Sequence, residues 1–145
     1  MGKVEAHLPG DLLYASNHKW CRADGSQCRF GFTSYAIVLM KDVYFLDWHV
    51  SAGDPIEYLQ EIGHIETSKA VSDLYAPLQG TLLRFNGELL NDPSGINVDG
   101  YGEGWLYDLE ADPSSLMNVD EYHQLLEDGW EKTQQMIKGK MNLEE

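Results

Sequence analysis

Short stretches in which hydrophobic and polar residues alternate cover much of this chain, and turn-forming residues separate them. Residues 43–46 are rich in β-branched and aromatic side chains, which favours a strand. From residue 56 to residue 66 every second side chain falls on one face, which predicts a half-buried strand, and residues 80–85 predict another. Residues 91–107 predict a loop-rich segment, and residues 106–109 predict a last strand.

Helical patterns are short in the middle of the chain and longer near its end. Thr33 is a suitable N-cap for a helix over residues 33–40, and Pro113 suits the first position of another short helix. Residues 118–121 resemble a capping box for a longer helix that ends at Gly139. Its packed face recurs at steps of three and four residues, at Tyr122, Leu125, Leu126, Trp130, Thr133, Met136 and Ile137. These patterns predict a mainly β domain with peripheral short helices and a C-terminal helix.

Length and composition limit the class of protein. The 145 residues are 43% hydrophobic and 23% charged, which is typical of one globular domain. Ten basic residues against 24 acidic ones give a formal net charge of -14, and such a surface repels nucleic acid and anionic membranes. The N-terminus lacks the apolar segment of a secretory signal, and no apolar run reaches the roughly 18 residues of a membrane span. We therefore expect a cytoplasmic protein.

The most informative residue is an isolated lysine, Lys69, in a segment of small and acidic residues. The segment reads Glu66-Thr67-Ser68-Lys69-Ala70, then Ser72-Asp73, then Ala76-Pro77-Leu78-Gln79-Gly80. A lone turn lysine is most often only a solvated side chain. This segment, however, resembles the lipoyl-carrying domains, and among them the H protein family of the glycine cleavage system. That family places its lipoylated lysine in Glu-Ser-Val-Lys-Ala, followed by Ser-Asp and by Ala-Pro-x-x-Gly.

Other segments carry the same resemblance in the same order along the chain. Residues 18–20 are similar to the family's His-Glu-Trp, residues 31–36 to its Gly-Ile-Thr-Asp-Tyr-Ala, and residues 101–106 to its Tyr-Gly-Glu-Gly-Trp-Leu. The resemblance covers residues 8–126 of what we take to be a single domain, residues 1–145.

The resemblance implies a fold and a chemistry. The fold is a barrel-sandwich hybrid of two small sheets, with Lys69 at a hairpin tip and a helical extension over residues 113–139. Lipoate is attached covalently to Lys69, and a lipoate ligase or lipoyl transferase recognises its neighbours Glu66, Thr67, Ser68, Ala70 and Asp73. Biotin carriers usually set their lysine between two methionines, which Ser68 and Ala70 do not match. The protein is then a carrier and not an enzyme, and its tether raises the effective concentration of cargo at each partner.

Three departures from the family concern the cleft into which the loaded arm folds. Lys19 replaces an acid, Ser34 replaces another acid, and Leu39 ends an unusually apolar helix. We expect His18, Lys19 and Leu39 to line the cleft. An aminomethyl ammonium group needs acids and hydrogen-bond acceptors, whereas a nearby lysine suits an anionic or sulfur-bearing arm.

These departures leave three interpretations open. The first, which we favour on the sequence, is a specialised lipoate-binding protein of bacterial sulfur oxidation. Its partners are a heterodisulfide-reductase-like complex and a dihydrolipoamide dehydrogenase. The second is an authentic glycine cleavage H protein, which serves glycine decarboxylase and an aminomethyltransferase. The third is an unlipoylated interaction module. We expect a monomer in each case.

The two cysteines, Cys21 and Cys28, flank a hairpin predicted over residues 22–27. The dipeptide Asp24-Gly25 favours a type I′ turn, and this turn places the two cysteines directly opposite each other, with Cα atoms about 4.5–5.5 Å apart. They are either a redox pair or two unrelated thiols. The cysteine and histidine spacings match no metal motif, so we expect no metal.

Overall fold

The computed structural model describes residues 7–129, in which nine strands and three short helices precede a C-terminal helix. The strands are β1 (Leu13–Ala15), β2 (Lys19–Asp24), β3 (Gln27–Phe32), β4 (Val43–Trp48), β5 (Pro55–Ile56), β6 (Glu61–Thr67), β7 (Val71–Tyr75), β8 (Gly80–Phe85) and β9 (Tyr107–Glu110). The helices are α1 (Ser34–Met40), α2 (Glu88–Asn91), α3 (Gly95–Val98) and α4 (residues 119–129), and a 3₁₀ turn at Pro113–Ser115 precedes α4. Within residues 7–129, no helix has the length and apolar character needed to cross a membrane.

The strands form two antiparallel sheets that share one core. A six-stranded sheet has the order β1-β2-β3-β9-β8-β5, and a three-stranded sheet has the order β4-β6-β7. One buried cluster receives Phe30 and Leu82 from the first sheet and Leu46 and Ile65 from the second. The prediction of a mainly β, barrel-sandwich fold is confirmed, and the three-stranded sheet carries the hairpin with Lys69.

The C-terminal helix begins at the predicted capping box and packs on β1 and β2. The Asn118 side chain accepts from the backbone N–H of Glu121 at 2.8 Å, and the Glu121 side chain accepts from the backbone N–H of Asn118 at 3.0 Å. Tyr122 and Leu126 are buried from the predicted face, and the Tyr122 ring stacks on Tyr14 at 4.8 Å. Leu125 is exposed. The other predicted face positions and the predicted end at residue 139 lie outside the described residues.

The prediction of one continuous strand over residues 56–66 is wrong. The chain forms β5, turns, and starts again as β6. Leu59 has a φ of 63°, and the backbone N–H of Gln60 donates to the carbonyl of Glu57 at 3.1 Å, which closes the turn. The pairing of β6 with β7 also shifts register near its start, so that Ile62 and Ile65 are both buried although strict alternation would put them on opposite faces.

The segment predicted to be loop-rich contains α3 and is organised by one buried side chain. The Asn86 amide donates to the carbonyl oxygens of Glu103 at 2.7 Å and Trp105 at 2.8 Å, and its oxygen accepts from the backbone N–H of Glu88. This single residue therefore provides hydrogen bonds for backbone groups on both sides of the segment. β9 starts within one residue of its predicted position.

The β2–β3 hairpin forms where it is predicted, but its turn is displaced by one residue. Asp24 pairs with Gln27, so the two loop residues are Gly25 and Ser26. Gly25 has a φ of 61°, which glycine adopts without a steric penalty at the first position of a two-residue turn.

This displacement makes the predicted opposition of the two cysteines wrong. Cys21 lies opposite Phe30 and Cys28 lies opposite Ala23, so the cysteines are diagonal neighbours. Diagonal Cα atoms are about 7–8 Å apart, which exceeds the usual span of a disulfide, although the two thiols stay within hydrogen-bonding reach of each other. Both thiols are free and fully buried. Burial raises the pKa of each thiol, as is typical of unreactive structural cysteines.

Candidate functional site

Lys69 lies at the exposed tip of the β6–β7 hairpin, on a turn that one hydroxyl group organises. Glu66 and Val71 form the last paired positions of the two strands. The Thr67 Oγ1 atom accepts from the backbone N–H of Lys69 at 3.2 Å and of Ala70 at 3.3 Å, and the Thr67 N–H donates to the Ala70 carbonyl at 2.9 Å. These bonds fix the backbone on both sides of the lysine and leave its side chain in solvent.

Ser68 attaches the same turn to the body of the protein. Its backbone N–H donates to the Asp42 carbonyl at 2.9 Å, and its hydroxyl accepts from the Asp42 N–H at 3.3 Å. Asp42 lies between α1 and β4, so the hairpin tip is held from two directions. Thr67 and Ser68 therefore have structural roles in the turn, and Ala70 is small and exposed.

The two predicted recognition acids stand on the strands that flank the turn. Asp73 is exposed on β7 and pairs across the sheet with His64. Glu66 is half-buried on β6, with its carboxylate 3.8 Å from His64 Nε2. Both carboxylates are accessible on the hairpin that carries Lys69.

A cleft of about 290 Å³ adjoins this hairpin and brings together the three predicted cleft residues. His18, Lys19 and Leu39 line it, and β7 contributes Asp73 to the same wall. Ser34 is not among its lining residues; the Ser34 hydroxyl donates instead to the His7 carbonyl at 2.7 Å. The full lining comprises Asn17, His18, Lys19, Phe32, Ala36, Leu39, Met40, Ile65, Ser72, Asp73, Leu74 and Tyr75.

A larger cavity of about 580 Å³ lies elsewhere, between β1 and the 3₁₀ turn. It shares no lining residue with the cleft, and no residue of the Lys69 turn lines it. We assign function to the smaller cleft because β7, which leads directly from Lys69, forms one of its walls.

Lys19 is buried in the cleft wall with little polar compensation. Its side chain is 2% exposed. The Nζ atom donates to the Tyr75 carbonyl at a long 3.4 Å and lies 5.6 Å from the centre of the Phe32 ring. Burial lowers the pKa of Lys19 to about 8, and no carboxylate among residues 7–129 offsets that burial. A positively charged residue thus stands where the family has an acid, as predicted, but its side chain is buried in the cleft wall and not exposed at its surface.

His18 packs between two aromatic residues. Its Nδ1 atom is 2.9 Å from the Tyr122 hydroxyl, and its ring centre is 5.1 Å from that of Tyr35. Burial, and secondarily the charge of Lys19, lower the pKa of His18, which favours a neutral imidazole. These contacts make His18 a packed residue of the cleft wall.

Asn17 is a cleft residue that the sequence analysis missed. Its amide nitrogen donates to the Tyr75 carbonyl at 3.0 Å. Its Oδ1 atom is buried and has no hydrogen-bond donor among the described residues. A buried acceptor without a donor needs an explanation, and a cleft that receives an N–H or ammonium group supplies one. The residue precedes the His-Lys-Trp segment, so its position in the cleft follows only from the fold.

A second missed group lies on the outer face of the three-stranded sheet. Asp47, His49 and His64 approach one another there. His49 also donates from Nδ1 to the Glu61 carboxylate at 2.7 Å, and this hydrogen bond is the main cause of the raised pKa of His49. The residues come from two strands, so spacing along the sequence gives no sign of them.

Comparisons with known proteins agree with this geometry. The family model described as glycine cleavage H-protein matches residues 12–135. The probable glycine cleavage system H protein of Natronomonas pharaonis is 41% identical over 118 residues, which are 79% of this chain and 93% of the relative. The glycine cleavage system H protein of Herpetosiphon aurantiacus is 36% identical over 125 residues, which are 85% and 96% of the two chains. The crystal structure of a glycine cleavage system H protein from Mycobacterium marinum superposes with a TM-score of 0.70 at 33% identity, covering 79% of this chain and 95% of that one.

Proposed function

The chain belongs to the glycine cleavage H-protein family, and we propose that it is the lipoyl carrier of a glycine cleavage system, with lipoate on Lys69. The observation that carries the proposal is an exposed lysine on a turn that is fixed by Thr67 and by the Ser68–Asp42 contacts. A modifying ligase needs an anchor in a defined orientation, and a rigid hairpin tip provides it. The proposal agrees with the second of the three interpretations of the sequence.

The residues around Lys69 fit the covalent attachment of lipoate. The small side chains of Ser68 and Ala70 leave the amine accessible, and Glu66 and Asp73 present carboxylates on the two flanking strands for recognition by a ligase or lipoyl transferase. Lipoate supplies a dithiolane on a long arm, which holds an intermediate covalently. The chain itself positions the arm and offers the cleft, and the chemistry belongs to glycine decarboxylase, aminomethyltransferase and dihydrolipoamide dehydrogenase.

One amide group of the cleft suits an aminomethyl cargo. The Asn17 Oδ1 atom, which has no donor among the described residues, is a suitable acceptor for an ammonium group. The Asp73 side chain stands on the other face of the sheet, in one row with Asp47 and His64. Hydrogen bonds to a charged group contribute about 1.5–3 kcal/mol. The positive charge of Lys19 opposes such a cargo, and within residues 7–129 only the Tyr75 carbonyl, which accepts from its Nζ atom, lies between them as a polar group.

Intact-mass analysis after co-expression with a lipoate ligase tests the attachment site. We expect one lipoyl group on the wild-type protein, none on Lys69→Arg, and one on the matched control Lys41→Arg, since Lys41 is also exposed and lies close in sequence to Asp42. Lipoylation that persists in Lys69→Arg would disprove the site. A wild-type protein that no ligase modifies would instead favour the unlipoylated interaction module.

The turn gives a second test of recognition by the ligase. Thr67→Ser keeps the hydroxyl that accepts from the N–H groups of Lys69 and Ala70, whereas Thr67→Val removes it at nearly constant volume. We expect Thr67→Ser to be lipoylated at the wild-type rate and Thr67→Val more slowly. Equal rates for all three proteins would show that the ligase does not require this turn geometry.

The buried Lys19 favours a second candidate, the lipoate-binding protein of sulfur oxidation, which the relatives do not support. Glycine–bicarbonate exchange with purified glycine decarboxylase separates the two candidates. We expect the lipoylated protein to support exchange at a rate comparable to that of an established H protein. Lipoylation without exchange would reject the glycine cleavage proposal and leave the sulfur interpretation as the better one.

A further inference from the structure

Three side chains with metal-binding atoms converge on the outer face of the three-stranded sheet. Asp47 of β4 and His64 of β6 are directly opposed cross-strand partners. His49 follows two positions after Asp47, and in an extended chain such residues share a face. The fold therefore brings together one carboxylate and two imidazoles from segments that are 15 residues apart.

Two of the three distances between these atoms are close to those around a single metal ion. His49 Nε2 lies 3.1 Å from His64 Nδ1 and 3.4 Å from an Asp47 carboxylate oxygen, and the three ligand atoms all lie within 4.8 Å of one another. A tetrahedral Zn²⁺ with bonds of about 2.0–2.1 Å holds its ligand atoms about 3.3 Å apart. The cluster needs only small side-chain movements to reach this arrangement.

Glu61 orients the central imidazole in the way that metal-binding histidines require. It accepts from His49 Nδ1 at 2.7 Å, which leaves Nε2 directed at Asp47 and His64. Histidine ligands of metals usually donate their second ring N–H to a carboxylate in this manner. The His49 side chain is 39% exposed and the His64 side chain 25% exposed, so an ion reaches the cluster directly from solvent.

We propose that Asp47, His49 and His64 bind a divalent transition-metal ion, with Glu61 as a positioning residue. Two imidazoles and one carboxylate are a ligand set that suits Zn²⁺ and its neighbours in the first transition row. The fourth position stays open to water or to a ligand atom of a partner. The net charge of -14 also favours a cation.

Binding of this ion links β4 to β6, the strand that leads to Lys69, through ligands from both strands. An ion that binds only the folded protein raises its thermal stability in proportion to the logarithm of its concentration. Because none of the three ligands lies in the Lys69 turn, the site is independent of lipoylation. The unlipoylated protein can therefore be used to test it, and failure of either proposal leaves the other standing.

Isothermal titration of the full-length protein with Zn²⁺ in a non-chelating buffer tests the proposal. We expect saturable 1:1 binding, with affinity lowered at least about 10-fold in His49→Gln, His64→Gln and Asp47→Asn, and by about 10–100-fold in Glu61→Gln. The matched control is His123→Gln, because His123 is exposed on α4, and it should bind as the wild-type protein does.

Titration with Co²⁺ tests the site in the wild-type protein, without any substitution. Four-coordinate Co²⁺ has an intense visible absorption, which reports binding directly. Saturation of that band at one equivalent, together with a rise in melting temperature on addition of Zn²⁺, supports the site. Absence of saturable Zn²⁺ binding would reduce the cluster to a network of hydrogen bonds and ion pairs. An unchanged affinity in His64→Gln, or an equal loss in His123→Gln, would also overturn the assignment.

Discussion

Replacement of Lys19 by methionine should stabilise the protein at neutral pH. The lysine stem crosses the wall of the cleft beside the Phe32 ring, and its amine has one long hydrogen bond, to the Tyr75 carbonyl. Methionine has a similar length and no branch, so it fills the same space without the charge. The perturbation therefore removes a buried charge and leaves the packing nearly unchanged.

The expected magnitude follows from the pKa of the amine. Burial lowers the pKa of Lys19 from 10.5 to about 8, and at about 1.4 kcal/mol per pH unit this disfavours the charged form by about 3 kcal/mol. The variant also loses the hydrogen bond to Tyr75, which contributes about 1 kcal/mol. We therefore expect Lys19→Met to raise the free energy of unfolding by about 2 kcal/mol at pH 7.

The difference between the two proteins should change with pH in a defined direction. Below pH 8 the lysine is protonated in both the folded and the unfolded state, so the buried charge lowers the free energy of unfolding by its full amount. Between pH 8 and pH 10.5 the folded state loses the proton first, so the wild-type protein gains stability relative to the variant. Above pH 10.5 the lysine is neutral in both states and no longer destabilises the wild-type protein. The two proteins then differ only by the hydrogen bond that the variant lacks.

Urea unfolding, followed by tryptophan fluorescence from pH 6 to pH 10.5, measures this difference. Buried groups such as Tyr107, whose pKa is raised by burial, are present in both proteins. Their contributions to the pH dependence of stability therefore cancel in the difference. Lys41→Met, which removes an exposed lysine, should show almost no pH-dependent difference. If Lys19→Met is less stable than the wild-type protein at pH 7, or if its advantage does not shrink by pH 10, the assignment of an uncompensated buried charge is wrong.

Three other predictions concern packing. Gly63→Ala should lower the free energy of unfolding by more than about 2 kcal/mol, because its Cβ atom would collide with the backbone oxygen of Asp47 in β4. Gly87→Ala, whose Cβ atom would meet nothing within 4 Å, should be neutral or slightly stabilising in the same urea titration. Asn86→Ala should lower the free energy of unfolding by about 3 kcal/mol, because it leaves two backbone carbonyls without donors. A smaller loss of stability than that caused by replacing an exposed asparagine would contradict this role. Cys21 and Cys28 are fully buried, so a thiol reagent should modify them only as fast as the protein unfolds, and rapid labelling of the native protein would refute that burial.

The hairpin between β2 and β3 shows which part of the fold can be predicted from local sequence. The presence of a turn follows from the dipeptide Asp24-Gly25, and the turn does form. Its register depends on whether glycine takes the first or the second loop position, and both positions accept a positive φ in two-residue turns. The structure places Gly25 first, and this one-residue difference moves Cys21 away from the position opposite Cys28.

The segment around Lys69 can be compared with the family because it is continuous in the sequence, and the hairpin tip that the resemblance implies for Lys69 is present in the structure. The Asp47, His49 and His64 cluster could not be predicted in this way. Its geometry depends on the pairing of Asp47 with His64 across two strands, and on the register shifts in β4 and β6 that spacing along the chain does not reveal. Asn17 was missed for a related reason, since its partner Tyr75 is 58 residues away.

The burial of Lys19 also has a consequence for the edge of the three-stranded sheet. Within residues 7–129, β7 is an outer strand of that sheet, and Asn17 and Lys19 both donate to its Tyr75 carbonyl. Free strand edges pair with other chains unless charges or covering segments prevent it. Lys19 is buried, and Asn17 still covers the Tyr75 carbonyl when the lysine is replaced. We therefore expect Lys19→Met to self-associate no more than the wild-type protein at pH 7. Sedimentation velocity over a range of protein concentrations measures this, with Lys41→Met as the control for loss of net charge. Self-association of Lys19→Met beyond that of this control would show that the lysine charge itself protects the strand edge.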